Sequence, residues 1–385
     1  MAQGSEIEQT DVTPEGLIEL ARRKAEEQRR ECRALTASLL GGRDAGLTDR
    51  QRATLSRLLR QLVAEADADI RGRALAANEG AEALNPPVPA EAEPTYAVMV
   101  EAGAFEDGAL VDAVVHRLYQ HQLERAVRAP APGGWLGDGG AAEHDLAAML
   151  GIAEGGALWR LIAEVQVERS GRTDSYGEPT LLVRDLAPRT RARLYWDCAA
   201  AVRETLSAGA SHAAPEIDVF IEAATRAALA GDDGTGTRTQ ALARGLLDEG
   251  LLSADMLAPV LRAGEVALFE AGLGVLAELG PRILRHLLYE PGGEGFAMLW
   301  RALRFPDPLF DEIHALSRHA RGRPLADPST ALERLRAFRE RMPVESARAV
   351  LGFWRLSPEY RAARGRVGDR HRTGGATNLG ARTLG

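Results

Sequence analysis

Eight histidines carry the chain's chemistry near neutral pH. His116 and His121 stand five residues apart, as do His314 and His319. On a helix that spacing is about 500°, so the second ring points about 140° away from the first. A zinc-type pair prefers i and i+4. Both pairs therefore read as surface or boundary histidines. Glu124, three residues past His121, makes an ion pair or a weak ligand pair with it, and His144-Asp145 reads as a helix cap.

Lysine chemistry rests on a single residue, since Lys24 is the only lysine in the chain. It falls in the charged stretch 22–33, read as an exposed helix, whereas a Schiff-base lysine needs a desolvated amine. A phosphate-cradling loop needs a lysine after its glycines. Gly231-Asp232-Asp233-Gly234-Thr235-Gly236-Thr237 has none, and its two acids repel phosphate. No Gly-x-Ser-x-Gly elbow occurs, and carboxylates are too numerous to single out a hydrolytic pair. The two cysteines, Cys32 and Cys198, lie far apart without a C-x-x-C spacing. That is neither a disulfide framework nor a zinc site, and it suits a reducing compartment. No catalytic residue, cofactor or metal is expected.

One cationic cluster remains. Arg361, Arg364, Arg366, Arg370, His371 and Arg372 fall within twelve residues, interleaved with Gly, followed by Thr373 and without aromatics. Such a segment binds a polyanion such as a nucleic acid with strong salt dependence. Its plainer reading is a solvated end.

The elements that position these residues read as helices. Apolar residues make up 45% of the 385, aromatics only 5%, and Ala and Leu dominate. These are helix formers, and no sustained run of alternating β-branched residues argues for a long sheet. The net charge of −8 argues against a surface that wraps duplex DNA. Residues 1–15 are polar and lack the apolar core of a signal peptide. The most apolar long stretch, 257–279, carries Arg262, Glu265, Glu270 and Glu278, which a bilayer span does not tolerate. A cytoplasmic protein with no membrane partner is the expectation.

Start and stop signals divide the chain. Residues 1–12 read as disordered. Thr13-Pro14-Glu15 starts a helix that Gly41-Gly42 ends, and Thr48-Asp49 caps a second. Asp67 to Leu75 reads as an acid-rich turn opening a further helix with Ile70-Arg71 at its start, the second-helix signature of HEAT-type repeats. Pro/Gly-rich breaks follow at 85–94 and 130–140, and a turn-rich insertion at 170–179. An N-terminal helical region, 13–230, is joined by a linker, 231–237, to a C-terminal one, 238–358, and residues 359–385 form a disordered Arg/Gly-rich tail. Short amphipathic helices at spacings of about 15 to 22 residues suggest an α-solenoid, a HEAT-like stack of helix pairs.

Three segments carry a resemblance: Arg193-Leu194-Tyr195-Trp196-Asp197-Cys198-Ala199-Ala200-Ala201-Val202-Arg203, then residues 257–271 around Leu261-Arg262-Ala263-Gly264, then residues 283–296 around Tyr289-Glu290-Pro291-Gly292-Gly293-Glu294. Over roughly residues 35–340 the chain resembles a bacterial family of unknown function. The resemblance implies an all-helical, HEAT-like fold and supplies no catalytic residue. By their own types, Leu194, Tyr195 and Trp196 anchor a helix against its neighbour. Tyr195 and Trp196 are also the candidate partner-binding pair. The resulting expectation is a non-enzymatic scaffold or regulator that binds a protein. The alternatives are a polyanion binder through the Arg tail and an enzyme with a cleft between helices.

Overall fold

A computed structural model describes residues 10–41, 47–77, 93–106, 108–128, 146–207, 214–230, 237–320, 328–361, 363, 364 and 367. Residues 1–9, 231–236, 85–92 and 130–140, His144, Arg366, Arg370 and Arg372 lie outside the described residues. Among the described residues the secondary structure is helical, without a strand; Thr173 and Pro179 form an isolated antiparallel bridge.

The helices are α1 Pro14–Gly41, α2 Asp49–Ala77, α3 Glu93–Glu101, α4 Ala109–Arg128, α5 Leu146–Met149, α6 Ala157–Ser170, α7 Pro188–Ser207, α8 Ala214–Ala230, α9 Arg238–Asp248, α10 Ala254–Arg262, α11 Val266–Ala277, α12 Pro281–Tyr289, α13 Glu294–Leu303, α14 Asp307–Ala320, α15 Pro328–Arg341 and α16 Val344–Arg355, with a 3-10 turn, Val183–Asp185, before α7. Their starts follow the cap residues. The Gly16 amide donates to Thr13 Oγ1 at 3.3 Å. Thr48 and Gln51 form a reciprocal capping box, with the Gln51 amide donating to Thr48 Oγ1 at 3.2 Å and the Thr48 amide to Gln51 Oε1 at 2.9 Å. The Gln240 amide donates to Thr237 Oγ1 at 3.2 Å. Thr237→Ala should therefore cost about 1 kcal/mol, read as a lower urea midpoint.

Two local readings are corrected. Asp67 to Leu75 is no turn, because α2 runs unbroken through it. Arg71 Nε donates to both Asp67 oxygens at 3.0 Å, and Thr95 Oγ1 donates to Asp67 Oδ1 at 2.9 Å. An acid satisfied in this way is tolerated in a helix interior, so the HEAT-type signature does not mark a helix start here. Past α16, residues 358–361, 363, 364 and 367 are helical where the sequence reads as a disordered tail. Ser357 Oγ accepts from the Tyr360 amide at 3.2 Å and Pro358 takes the first helical position, a local start signal inside polar sequence.

The chain forms two compact units, and their boundaries do not coincide with a division at 231–237. One comprises residues 26–272 and 316–323; the other comprises 1–25, 273–315 and 324–385. α9 packs on α6, so helices on both sides of 231–237 share the larger unit. That unit is organised on α2, which packs against α3, α4, α7 and α8. Leu55, Leu58, Leu59, Leu62, Val63, Ala66, Ile70 and Ala74 follow helical spacing and are fully buried. Each such Leu or Ile contributes about 1.5–3 kcal/mol by leaving water.

In the smaller unit α13 packs on α12, α15 and α16. Its core is an aromatic cluster: Phe296 stacks on Phe310 at 5.3 Å between centroids, and Trp300 meets Phe305 edge-on at 5.1 Å. Trp300 Nε1 donates to the Pro306 carbonyl at 2.9 Å. Leu17, Leu20 and Ala21 of α1 are buried. Lys24, read as exposed, keeps only 17% of its side chain in solvent, because Glu290 and Glu294 face it. No helix among the described residues is long and apolar enough to cross a membrane.

Candidate functional site

Residues 171–180, which overlap the segment 170–179 read as a turn-rich insertion, form a tightly built loop. It opens where Gly171 ends α6 and closes on itself. The Thr180 amide donates to the Arg172 carbonyl, and the Asp174 amide to the Glu178 carbonyl, both at 2.9 Å. Asp174 Oδ1 accepts from the Tyr176 and Glu178 amides, each at 2.9 Å, an Asx-type turn. Gly177 supplies the left-handed residue that reverses the chain, at φ 73°. The amide of Glu178, then that of Tyr176 and the nearby Arg57, hold the Asp174 carboxyl below the usual carboxylate range.

Arginines from other elements fasten this loop. Arg57 of α2 donates to the Pro179 carbonyl at 2.7 Å and faces Asp174 at 3.5 Å. Arg50 of α2 pairs with Glu178 at 2.8 Å. The buried Arg117 of α4 donates to the Thr180 carbonyl at 3.0 Å and the Arg172 carbonyl at 2.6 Å. At the tip stands Tyr176, 90% exposed. An aromatic on a mobile loop loses conformational entropy when it binds. Here the backbone beneath Tyr176 is already ordered.

Arg117 belongs to a larger buried network. It also donates to Gln120 Oε1 at 2.9 Å and Glu124 Oε1 at 3.2 Å. Gln120 Nε2 donates to Glu270 Oε2 of α11 at 3.3 Å, and His116 Nε2 lies 3.2 Å from the same oxygen. His121 Nδ1 lies 4.0 Å from Glu124. Both histidines are buried, which corrects their reading as surface or boundary residues. The 140° between them is spanned because α4 is covered on more than one side. Burial, then the Arg117 charge, lowers the pKa of His121, which stays neutral at physiological pH. Among the described residues no group of three or more His, Cys, Asp or Glu is placed to hold a metal.

The candidate partner pair is split. Tyr195 is buried, and its hydroxyl donates to Asp69 Oδ2 at 2.8 Å. Burial, reinforced by that carboxylate, raises its pKa. Tyr195 is therefore a packing residue and offers no surface to a partner. Trp196, one residue on and about 100° round the helix, is 41% exposed. Arg361 is half-buried with its guanidinium 5.9 Å from the centre of the Phe353 ring, and Arg364 is exposed. A cavity of about 250 Å³ opens beside α7, floored by Met99, Phe105, Leu110 and Leu194 and rimmed by Arg189 and Arg193.

Tyr176 was missed in the sequence. Its only signal was Asp174-Ser175-Tyr176-Gly177, an aromatic between an Asx-turn former and a glycine. The arginines that hold the loop come from α2 and α4, beyond the reach of any local pattern.

A family model described as an uncharacterised protein conserved in bacteria (DUF2336) matches residues 162–352. The match starts within α6 and ends within α16, so it takes in the Tyr176 loop, α7 and the smaller unit's aromatic cluster. It begins later than the resemblance over 35–340 suggested and leaves α1 to α5 outside. No curated protein and no solved structure matches the chain.

Proposed function

We propose that this chain, whose residues 162–352 match the model of an uncharacterised bacterial family, is a non-enzymatic helical protein that binds a protein partner as scaffold or regulator. The observation that carries the proposal is Tyr176, a nearly fully exposed aromatic on a loop held by arginines from two helices. Tyrosines of this kind are common hot spots, because they bury a large amphipathic ring at low entropic cost. A HEAT-like stack of helix pairs is part of the same proposal. Its support is local: α12 and α13 are consecutive and pack together across a short loop. The packing of α2 against α8 joins helices distant in sequence and departs from a strict nearest-neighbour array.

Tyr176→Ala should leave the thermal transition unchanged, because the side chain touches little. It should weaken partner capture by about tenfold or more. A photo-crosslinking residue at 176 should give a discrete protein adduct in cells, and one at the exposed Val219 should not. Equal capture by native chain and variant, or identical adducts at the two positions, would overturn the proposal.

A further inference from the structure

The smaller unit holds the chain's sole lysine against two buried acids. Lys24 Nζ lies 4.0 Å from Glu290 Oε1 and 3.5 Å from Glu294 Oε2, with the two carboxylate side chains 10% and 6% exposed. The acids bracket the loop Pro291-Gly292-Gly293 between α12 and α13. Glycines make room for them. A Cβ on Gly292 would collide with Glu294 Oε2, and one on Gly295 would lie 2.6 Å from Glu290 Oε2. The Glu294 carboxyl thus folds back over the loop. Gly293, at φ 82°, lies against the His314 ring from α14. The Gly295 amide donates to Glu290 Oε2 at 2.8 Å, whereas Glu290 Oε1 and Glu294 Oε2 are buried and accept no hydrogen bond.

The charges do not balance if every group is ionised. Two carboxylates and one ammonium leave a net negative charge out of water, which is costly. One proton on the acid pair makes the trio neutral and lets one carboxyl donate to the other. We infer that the α12–α13 loop is a proton-controlled latch, in which Glu290 holds a proton beside the Glu294 carboxylate, Lys24 balances the remaining charge, and loss of the proton loosens residues 14–25 of α1. The groups acting on Glu290 agree. Burial foremost, then the Glu294 charge, pushes its pKa up to about 8, while Lys24 and the Gly295 amide oppose the rise.

The sign of the linkage follows. A carboxyl whose folded pKa lies above its unfolded value binds its proton more tightly in the folded chain. Its effect on stability is absent below the unfolded value of 4.5, grows as pH rises from there, and levels off above about 8. The full-length chain should therefore melt at progressively lower temperature from about pH 5 to about pH 9. Protection against hydrogen exchange over residues 14–25, taken relative to the base-catalysed intrinsic rate at each pH, should fall across the upper part of that window.

Glu290→Gln, neutral at every pH, should lose most of that slope and melt above the native chain at the alkaline end. Lys24→Met removes the balancing cation and should move the titration to higher pH. The direct measurement on the native chain is carboxyl carbon NMR of labelled glutamate. One protonated carboxyl should persist at neutral pH, titrate in the alkaline range, and vanish in Glu290→Gln. Should every glutamate of the native chain titrate in the ordinary carboxylate range, the latch does not exist. That test needs no variant to fold. A native titration as expected, with unchanged protection over residues 14–25, would overturn the coupling to α1.

Discussion

Arg117→Ala should destabilise the larger unit by about 3–5 kcal/mol, the usual cost of removing one partner from a buried charge pair. The guanidinium is buried and makes four donations: to Glu124, to Gln120, and to the carbonyls of Arg172 and Thr180. Its removal leaves Glu124 without its buried Arg117 partner and takes a donor from the Thr180 carbonyl, while the Arg172 carbonyl keeps the Thr180 amide. The cost should be smaller in Arg117→Met/Glu124→Gln, where no buried charge is stranded. Urea denaturation followed by circular dichroism reads both. Hydrogen exchange across residues 171–180 should rise in either variant, because Arg117 fastens that loop. An Arg117→Ala loss below about 1 kcal/mol, comparable to a surface ion pair, would mean that water replaces the guanidinium and that the network does not carry the loop. The link to binding can be tested too. Arg117→Ala should weaken partner capture through Tyr176 while leaving Tyr176 in place, as expected if loop order matters.

The second large effect is at Phe310. Its ring is fully buried, stacks on Phe296, lies 6.1 Å from Trp300 and 5.8 Å from His314, and has the Arg339 guanidinium 4.7 Å from its centre. Phe310→Ala should cost about 3–5 kcal/mol, the sum of lost burial and the cavity left behind. Phe310→Leu should cost less, since it keeps most of the volume but gives up the stacking and the cation–π contact. Trp300 fluorescence reports the change directly, because its ring borders the site. An unchanged emission spectrum together with an unchanged urea midpoint would count against the aromatic cluster as the core of the smaller unit.

Much of the helical plan was legible from short-range signals. Thr13 and Thr48 cap helices, and Gly264 ends α10 in the left-handed conformation, at φ 78°, whereas Thr237, read as the end of the linker, also caps a helix. These residues act within about four positions of themselves, so their effect can be read from neighbours alone. The exceptions are instructive. Asp67-Ala68-Asp69 imitates a turn but continues α2, because Arg71 and Thr95 satisfy the buried acid. The Ser357-Pro358 start signal was overlooked because the sequence after it is polar.

The sites were much less legible. Tyr195 and Trp196 are adjacent in sequence, yet one is packed against Asp69 and the other reaches solvent. His116 and His121 read as boundary residues because helical spacing says nothing about how many neighbours cover a helix. Lys24 read as exposed because the stretch around it is charged, and the acids that desolvate and pair with it come from a distant loop. By itself the sequence determined the helical class and those helix starts and ends that a nearby cap or glycine marks. The tertiary structure decided which polar groups meet away from water. Arg117 reaches carbonyls 55 and 63 residues away. Such pairings depend on how whole helices pack, and packing is set by the sum of many apolar contacts rather than by any motif beside the charged residue.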